Sequence, residues 1–128
     1  PPALEKDDPR NPALQAQFRD VDPKDLPLNE SLEMTVARAV PYFEEVIKPE
    51  MENGKRVLIV AHGNSLRALV KYFDNLSNDE IINVNIPTGV PLVYEFDDEM
   101  KAVKHYYLMD EEQLRKEMEA VANQGKAK

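Results

Sequence analysis

The feature that most constrains this chain is an abrupt change of hydrophobic period at His62-Gly63-Asn64. Residues 56–61 form a mostly apolar run without polar alternation, which is typical of a strand buried on both faces of a parallel sheet. After the tripeptide, apolar residues recur with helical spacing at Leu66, Leu69, Val70 and Phe73. The sequence therefore predicts strand, tight glycine turn and helix in succession, the core of a βαβ unit with its ligand site beyond the strand.

Capping residues, periodicity and β-propensity predict the remaining elements. We expect a helix over about 30–52 with Asn29 as N-cap and a kink near Pro41. The further elements are a helix over 65–75, a short helix within 76–86 capped by Ser77, strands 91–96 and 103–108, and a helix over 111–122 capped by Asp110.

The domain organisation follows from where these elements lie. Residues 1–28 form an extended Pro-rich segment for which the composition predicts partial order. Residues 29–122 form an α/β core, and residues 123–128 form a basic tail. Residues 1–128 are thus interpreted as one part of a single domain, and the Pro1-Pro2 start suggests that residue 1 is not the natural start.

Composition excludes several classes of function. A formal net charge of −8 argues against nonspecific nucleic-acid binding, since the phosphate backbone has the same sign. No apolar run approaches the roughly 20 residues that span a bilayer. The chain has no cysteine and nothing that reads as a secretory signal, so a cytoplasmic setting is the default expectation.

His62 is the main candidate for chemistry. It follows a predicted buried strand and precedes the free amides of a helix N-terminus, which together can bind an anion. Gly63 leaves room for a phosphate to approach the backbone, and Asn64 adds a side-chain amide. The same tripeptide is also typical of a plain turn, so the local pattern alone leaves both interpretations open.

The other candidates are weaker. His105 lies on a predicted strand beside two tyrosines and is assigned no role. Neither histidine has a second ligand at metal-binding spacing, so no metal site is predicted. Arg38 is interpreted as a surface ion-pairing residue, and Arg67 is left open between a surface role and a phosphate contact.

Four segments closely resemble the 2,3-bisphosphoglycerate-dependent phosphoglycerate mutases of the histidine phosphatase superfamily, in the same order. They are residues 61–72, which contain the second histidine motif of that family, residues 28–32 with Thr35 and Arg38, residues 85–95, and residues 122–128. The resemblance covers the whole chain and favours the mutases over the general phosphatases of the superfamily.

The resemblance implies a three-layer α/β/α fold with a mostly parallel central sheet, present here as its C-terminal portion. It implies interconversion of 3- and 2-phosphoglycerate in glycolysis by ping-pong transfer through a phosphohistidine, with 2,3-bisphosphoglycerate as primer and no metal. His62 would stabilise the transferring group, and Gly63 and Asn64 would bind substrate phosphate. The resemblance also implies a homodimer or homotetramer and a mobile tail at 123–128.

The chain lacks three features of the family pattern: the Arg-His-Gly motif, a glutamate in the acid-base context of the family, and the arginine pair that would precede Pro1. Because the Arg-His-Gly motif is absent, the nucleophilic histidine is expected upstream, and this chain alone is predicted to be inactive. Two other functions stay open: a stand-alone phosphate-binding or interaction module without turnover, and a phosphatase acting on small phosphate esters.

Overall fold

The computed structural model describes residues 2–124. Three short 3₁₀ turns, Pro12–Leu14, Ala16–Phe18 and Pro23–Asp25, occupy the Pro-rich segment. The regular elements that follow are α1 (Leu32–Tyr42), α2 (Lys48–Glu52), α3 (Gly63–Phe73), α4 (Asn78–Ile82), β1 (Leu92–Phe96), β2 (Ala102–Tyr107) and α5 (Glu111–Gln124), with a π-helical turn at Phe43–Ile47 between α1 and α2.

The Pro-rich segment is an ordered loop built around one buried polar side chain. Asn11 is only 4% exposed; its amide donates to the carbonyls of Glu5 and Lys6, and its Oδ1 accepts from the Ala13 amide. The Leu4 amide donates to the Leu28 carbonyl at 3.0 Å and so closes the segment. Composition predicted only partial order here because it does not reveal side-chain bonds to distant carbonyls.

The first helix begins two residues later than predicted, since Ser31 rather than Asn29 is its N-cap. The Ser31 hydroxyl accepts from the Met34 amide at 3.1 Å. Pro41 lies inside α1 and has no amide hydrogen to continue the helical bonds. The expected irregularity takes the form of the π-helical turn, in which the Lys48 amide donates to the Phe43 carbonyl.

The strand predicted over residues 56–61 does not form in the described part of the chain. These residues have no regular secondary structure, and Leu58 and Val60 are 84% and 88% exposed. A strand exists only when another strand accepts and donates its ladder bonds, and residues 2–124 place none beside it. Within those residues the sheet consists of β1 and β2 alone, so this part of the molecule is a partial α/β fold without the predicted parallel sheet.

Strands β1 and β2 form the predicted antiparallel hairpin. Leu92 pairs with Tyr107 and Tyr94 with His105, and a register shift follows Glu95. The hairpin and the π-helical turn after α1 hold α3 through an aromatic cluster centred on Phe73. Its ring centroid lies 4.8 Å from that of Phe43, 5.0 Å from that of Tyr94 and 5.2 Å from that of Phe96. Ala68, Leu69 and Val70 of α3 are buried. The helix that follows His62 is thus the centre of the packed core.

The last helix extends through Gln124 and begins as predicted, because Asp110 accepts from the Gln113 amide at 3.0 Å. The tail was expected over 123–128; Asn123 and Gln124 belong to α5, and 125–128 lie outside the described residues. Among the helices described, none combines the length and apolarity needed to cross a membrane.

Candidate functional site

His62 forms the N-cap of α3 and defines the candidate site. Its backbone is extended, with φ −62° and ψ 148°, and its Nδ1 accepts from the Asn64 amide at 3.3 Å. An imidazole that accepts at Nδ1 carries its hydrogen on Nε2. The exposed His62 side chain therefore offers an Nε2–H donor at the start of the helix.

The first turn of α3 leaves backbone donors available. The Leu66 amide donates to the His62 carbonyl at 3.1 Å, whereas the amides of Gly63 and Ser65 have no acceptor within the described residues. A Cβ placed on Gly63 would meet no atom within 4 Å, so the space beside this backbone is open. Free amides, the positive end of the helix dipole and open space together suit an anion such as phosphate.

Asn64 lies on the same turn and is exposed. Its Oδ1 accepts from Nη1 of Arg67 at 3.4 Å. The two hydrogens of its Nδ2 have no acceptor in the portion that the structure describes. The three residues predicted from the sequence thus lie together as consecutive parts of one turn, each with a donor or an open approach.

Sequence reasoning left Arg67 undecided, and the structure places it beside this turn. Its Nη2 donates to the Ile81 carbonyl at 2.7 Å, while its Nε is buried without a hydrogen-bond partner. No carboxylate of residues 2–123 lies within ion-pair distance of it. Its position three residues after Asn64 on one helix was the signal that could have indicated this contact.

His105 lies in a separate cluster at the other end of α3. Its Nδ1 is 3.3 Å from Oδ2 of Asp74, and the Tyr94 hydroxyl donates to the same oxygen at 3.0 Å. Burial, assisted by the charge of Asp74 and by this hydrogen bond, raises the pKa of Tyr94 far above its usual value. These contacts join the hairpin to α3 and are structural.

Two further arginines line a cleft of about 690 Å³ between the Pro-rich segment and α1. Arg38 makes a bidentate ion pair with Glu30, which confirms its predicted ion-pairing role at the surface. Arg10 makes a bidentate ion pair with Asp8. The Arg10 hydrogen bonds lower the pKa of Asp8 to about 2. Both guanidinium groups are neutralised, and the turn at His62 does not line this cleft.

Among the described residues, no three histidine, aspartate or glutamate side chains are grouped so that they could hold a metal ion. The donors at His62, Gly63 and Asn64 are hydrogen-bond donors suited to an anion. The groups present therefore fit a phosphorylated ligand.

The chain matches the family described as the histidine phosphatase superfamily (branch 1) over residues 3–108. It is also similar to the 2,3-bisphosphoglycerate-dependent phosphoglycerate mutase of Treponema denticola. The identity is 62% over 128 residues, which is 100% of this chain and 52% of that relative. The chain thus spans about half the length of this curated relative.

Proposed function

The chain belongs to branch 1 of the histidine phosphatase superfamily, and from this premise we propose that it is part of a phosphoglycerate mutase. The complete polypeptide interconverts 3-phosphoglycerate and 2-phosphoglycerate. The observation that carries the proposal is the donor arrangement at His62, Gly63 and Asn64. The name of the Treponema denticola relative supports the mutase reaction in particular.

His62 acts in this proposal as a stabiliser of the transferring phosphoryl group. Phosphoryl transfer needs little covalent chemistry from the protein beyond the nucleophile, and depends on donors held where negative charge is spread over the equatorial oxygens. The Nε2–H of His62 supplies one such donor, and its Nδ1 contact to the Asn64 amide fixes the tautomer that provides it. Gly63 and Asn64 bind substrate phosphate through a backbone amide and a side-chain amide.

The nucleophilic histidine lies in the part of the polypeptide outside this chain. The chain has two histidines, and His105 is engaged with Asp74 in the hairpin contact. We expect the 128-residue chain alone to be inactive. The primer 2,3-bisphosphoglycerate supplies the phosphoryl group that loads the nucleophile, and the donors at the His62 turn fit its phosphates.

We expect the complete enzyme to act in glycolysis in the cytoplasm and to form a homodimer or homotetramer. Two other functions of the same site are distinguishable from this one. A phosphatase of the superfamily would hydrolyse small phosphate esters, and a binding module would retain phosphate without turnover.

The test is a mutase assay on the complete polypeptide, primed with 2,3-bisphosphoglycerate. We expect His62→Ala to lower kcat by about 10²- to 10³-fold, the usual effect of removing one transition-state donor. His105→Gln is the matched control, because it changes the other histidine, which lies outside the site, and it should leave kcat unchanged.

Each alternative has its own signature in that assay. Phosphate release without isomerisation would indicate a phosphatase, and phosphate binding without any turnover would indicate a binding module. Turnover by the purified 14.6 kDa chain alone would contradict the placement of the nucleophile outside it.

A further inference from the structure

We propose that Arg67 is a positioning residue that sets the orientation of the Asn64 side chain for phosphate binding. This inference rests on the function proposed above and concerns the same site. The one-turn spacing of the two residues on α3 places them as neighbours on one helix face.

The contacts of Arg67 run from the site to the core. Nη2 donates to the carbonyl of Ile81 at 2.7 Å, and Ile81 itself is only 3% exposed. Nη1 of the same planar group donates to Oδ1 of Asn64 at 3.4 Å. The guanidinium is a rigid fork, so fixing one of its nitrogens on the backbone near the end of α4 also fixes the other.

This arrangement decides which end of the Asn64 amide faces a ligand. The Asn64 amide has an acceptor, Oδ1, and a donor, Nδ2. Because Nη1 of Arg67 can only donate, it can form a hydrogen bond with Oδ1 but not with Nδ2. With Oδ1 held by Arg67, the two Nδ2 hydrogens remain for an anion. In the flipped orientation the Nδ2 hydrogens would face the guanidinium, and the oxygen would face the phosphate.

An ordinary ion-pair role does not account for Arg67. The other described arginines that form ion pairs, such as Arg10 and Arg38, meet a carboxylate. Arg67 has no carboxylate partner in residues 2–123, and its Nε is buried without an acceptor. Burying part of a cation without a counterion costs free energy unless its remaining hydrogen bonds offset the loss of hydration. Holding Asn64 is the role that the geometry provides.

The experiment compares Arg67→Met, Arg67→Lys and the control Arg38→Met in the complete polypeptide. Asn64 contributes ground-state binding, so we expect Arg67→Met to raise KM for 3-phosphoglycerate about tenfold, with kcat within about twofold. Lysine can bond the Ile81 carbonyl but cannot form the fork. Arg67→Lys should therefore keep the melting temperature and still raise KM. Arg38→Met should leave KM unchanged.

A double-mutant cycle with Asn64→Ala separates positioning from a structural role. If Arg67 acts through Asn64, Arg67→Met should change KM less than about twofold in the Asn64→Ala background. An equal tenfold rise in that background, or an unchanged KM in Arg67→Met and Arg67→Lys, would overturn the inference.

The same variants distinguish a failure of the inference about Arg67 from a failure of the proposed function. If the wild-type polypeptide shows no mutase turnover, the dissociation constant for inorganic phosphate, measured by calorimetry, replaces KM in the cycle. Coupling between positions 64 and 67 in that measurement would support the positioning role of Arg67. An absence of coupling would overturn it.

Discussion

At the residue scale, Asp74 is the group on which two elements of the fold converge. Its Oδ2 accepts from the Tyr94 hydroxyl and lies near Nδ1 of His105, so one carboxylate at the end of α3 holds both strands of the hairpin. Its side chain is 20% exposed and that of His105 is 45% exposed. Such partly screened contacts contribute modestly to stability, and their effect is measurable.

We predict that Tyr94→Phe lowers the free energy of unfolding at pH 7 by about 1–2 kcal/mol, because it removes a hydrogen bond to a carboxylate. Burial raises the folded-state pKa of Tyr94 above the unfolded value of about 10. The neutral Tyr94 side chain therefore contributes fully to the free energy of unfolding below about pH 10, and this contribution is lost as the pH rises further. Urea unfolding at pH 7 and pH 10.5 should show a smaller alkaline loss in the variant.

Tyr106→Phe is the control for this prediction. Tyr106 is 38% exposed, and Nζ of Lys104 lies over its ring. The phenylalanine variant keeps that ring and removes only the hydroxyl. Its stability at pH 7 should match the wild type. Some alkaline loss will persist in Tyr94→Phe, since burial also raises the pKa of Tyr107. An unchanged alkaline slope in Tyr94→Phe would contradict the assignment.

At the element scale, α3 is defined by the residues at its two ends. His62 caps the start, and Asn75 occupies the left-handed position after the end, with φ 51°. The Leu76 amide donates to the Lys71 carbonyl at 3.0 Å and the Asn75 amide to the Tyr72 carbonyl at 3.3 Å, which is the Schellman arrangement. This turn directs the chain from α3 to Ser77, the N-cap of α4.

The conformation of Asn75 gives a prediction that does not depend on packing, because its side chain is exposed. Asn75→Ala should destabilise the fold by about 1 kcal/mol, since alanine is strained at positive φ. Asn75→Gly should equal or exceed the wild-type stability, because glycine adopts this conformation without strain. Equal stabilities of the alanine and glycine variants in urea unfolding would show that this turn relaxes to another conformation.

At the scale of the whole molecule, the exposed apolar residues before His62 are the main feature that the described part does not account for. Leu58 and Val60 have the residue types of a core strand, yet they are among the most exposed apolar side chains described. Since the chain spans about half of the Treponema denticola relative, we expect the rest of the polypeptide to pair with residues 56–61 as a strand and to pack over these side chains.

Hydrogen exchange on the complete polypeptide tests this expectation. The amides of residues 58–61 should be protected, and Leu58→Ser with Val60→Ser should cost about 3 kcal/mol or more of unfolding free energy. Val103→Ser is the control, because Val103 is 61% exposed on a strand that is already paired; its effect should stay within about 0.5 kcal/mol. Rapid exchange at 58–61 would contradict the pairing.

The sequence by itself determined the features that depend on near neighbours. Helical periodicity and capping predicted α3, the Ser77 cap and the Asp110 cap, because each involves residues within about four positions. The same local pattern predicted that His62, Gly63 and Asn64 form one turn with available donors. Their roles in substrate binding and transfer stay predictions.

Only the tertiary structure decided the features that depend on distant partners. The bond from Arg67 to Ile81 and the shared contacts of Asp74 join residues 14 to 31 positions apart, and no periodicity encodes them. Residues 56–61 have the composition of a strand, but composition does not supply a neighbour. A strand is completed by hydrogen bonds to another segment, so its formation depends on the fold around it.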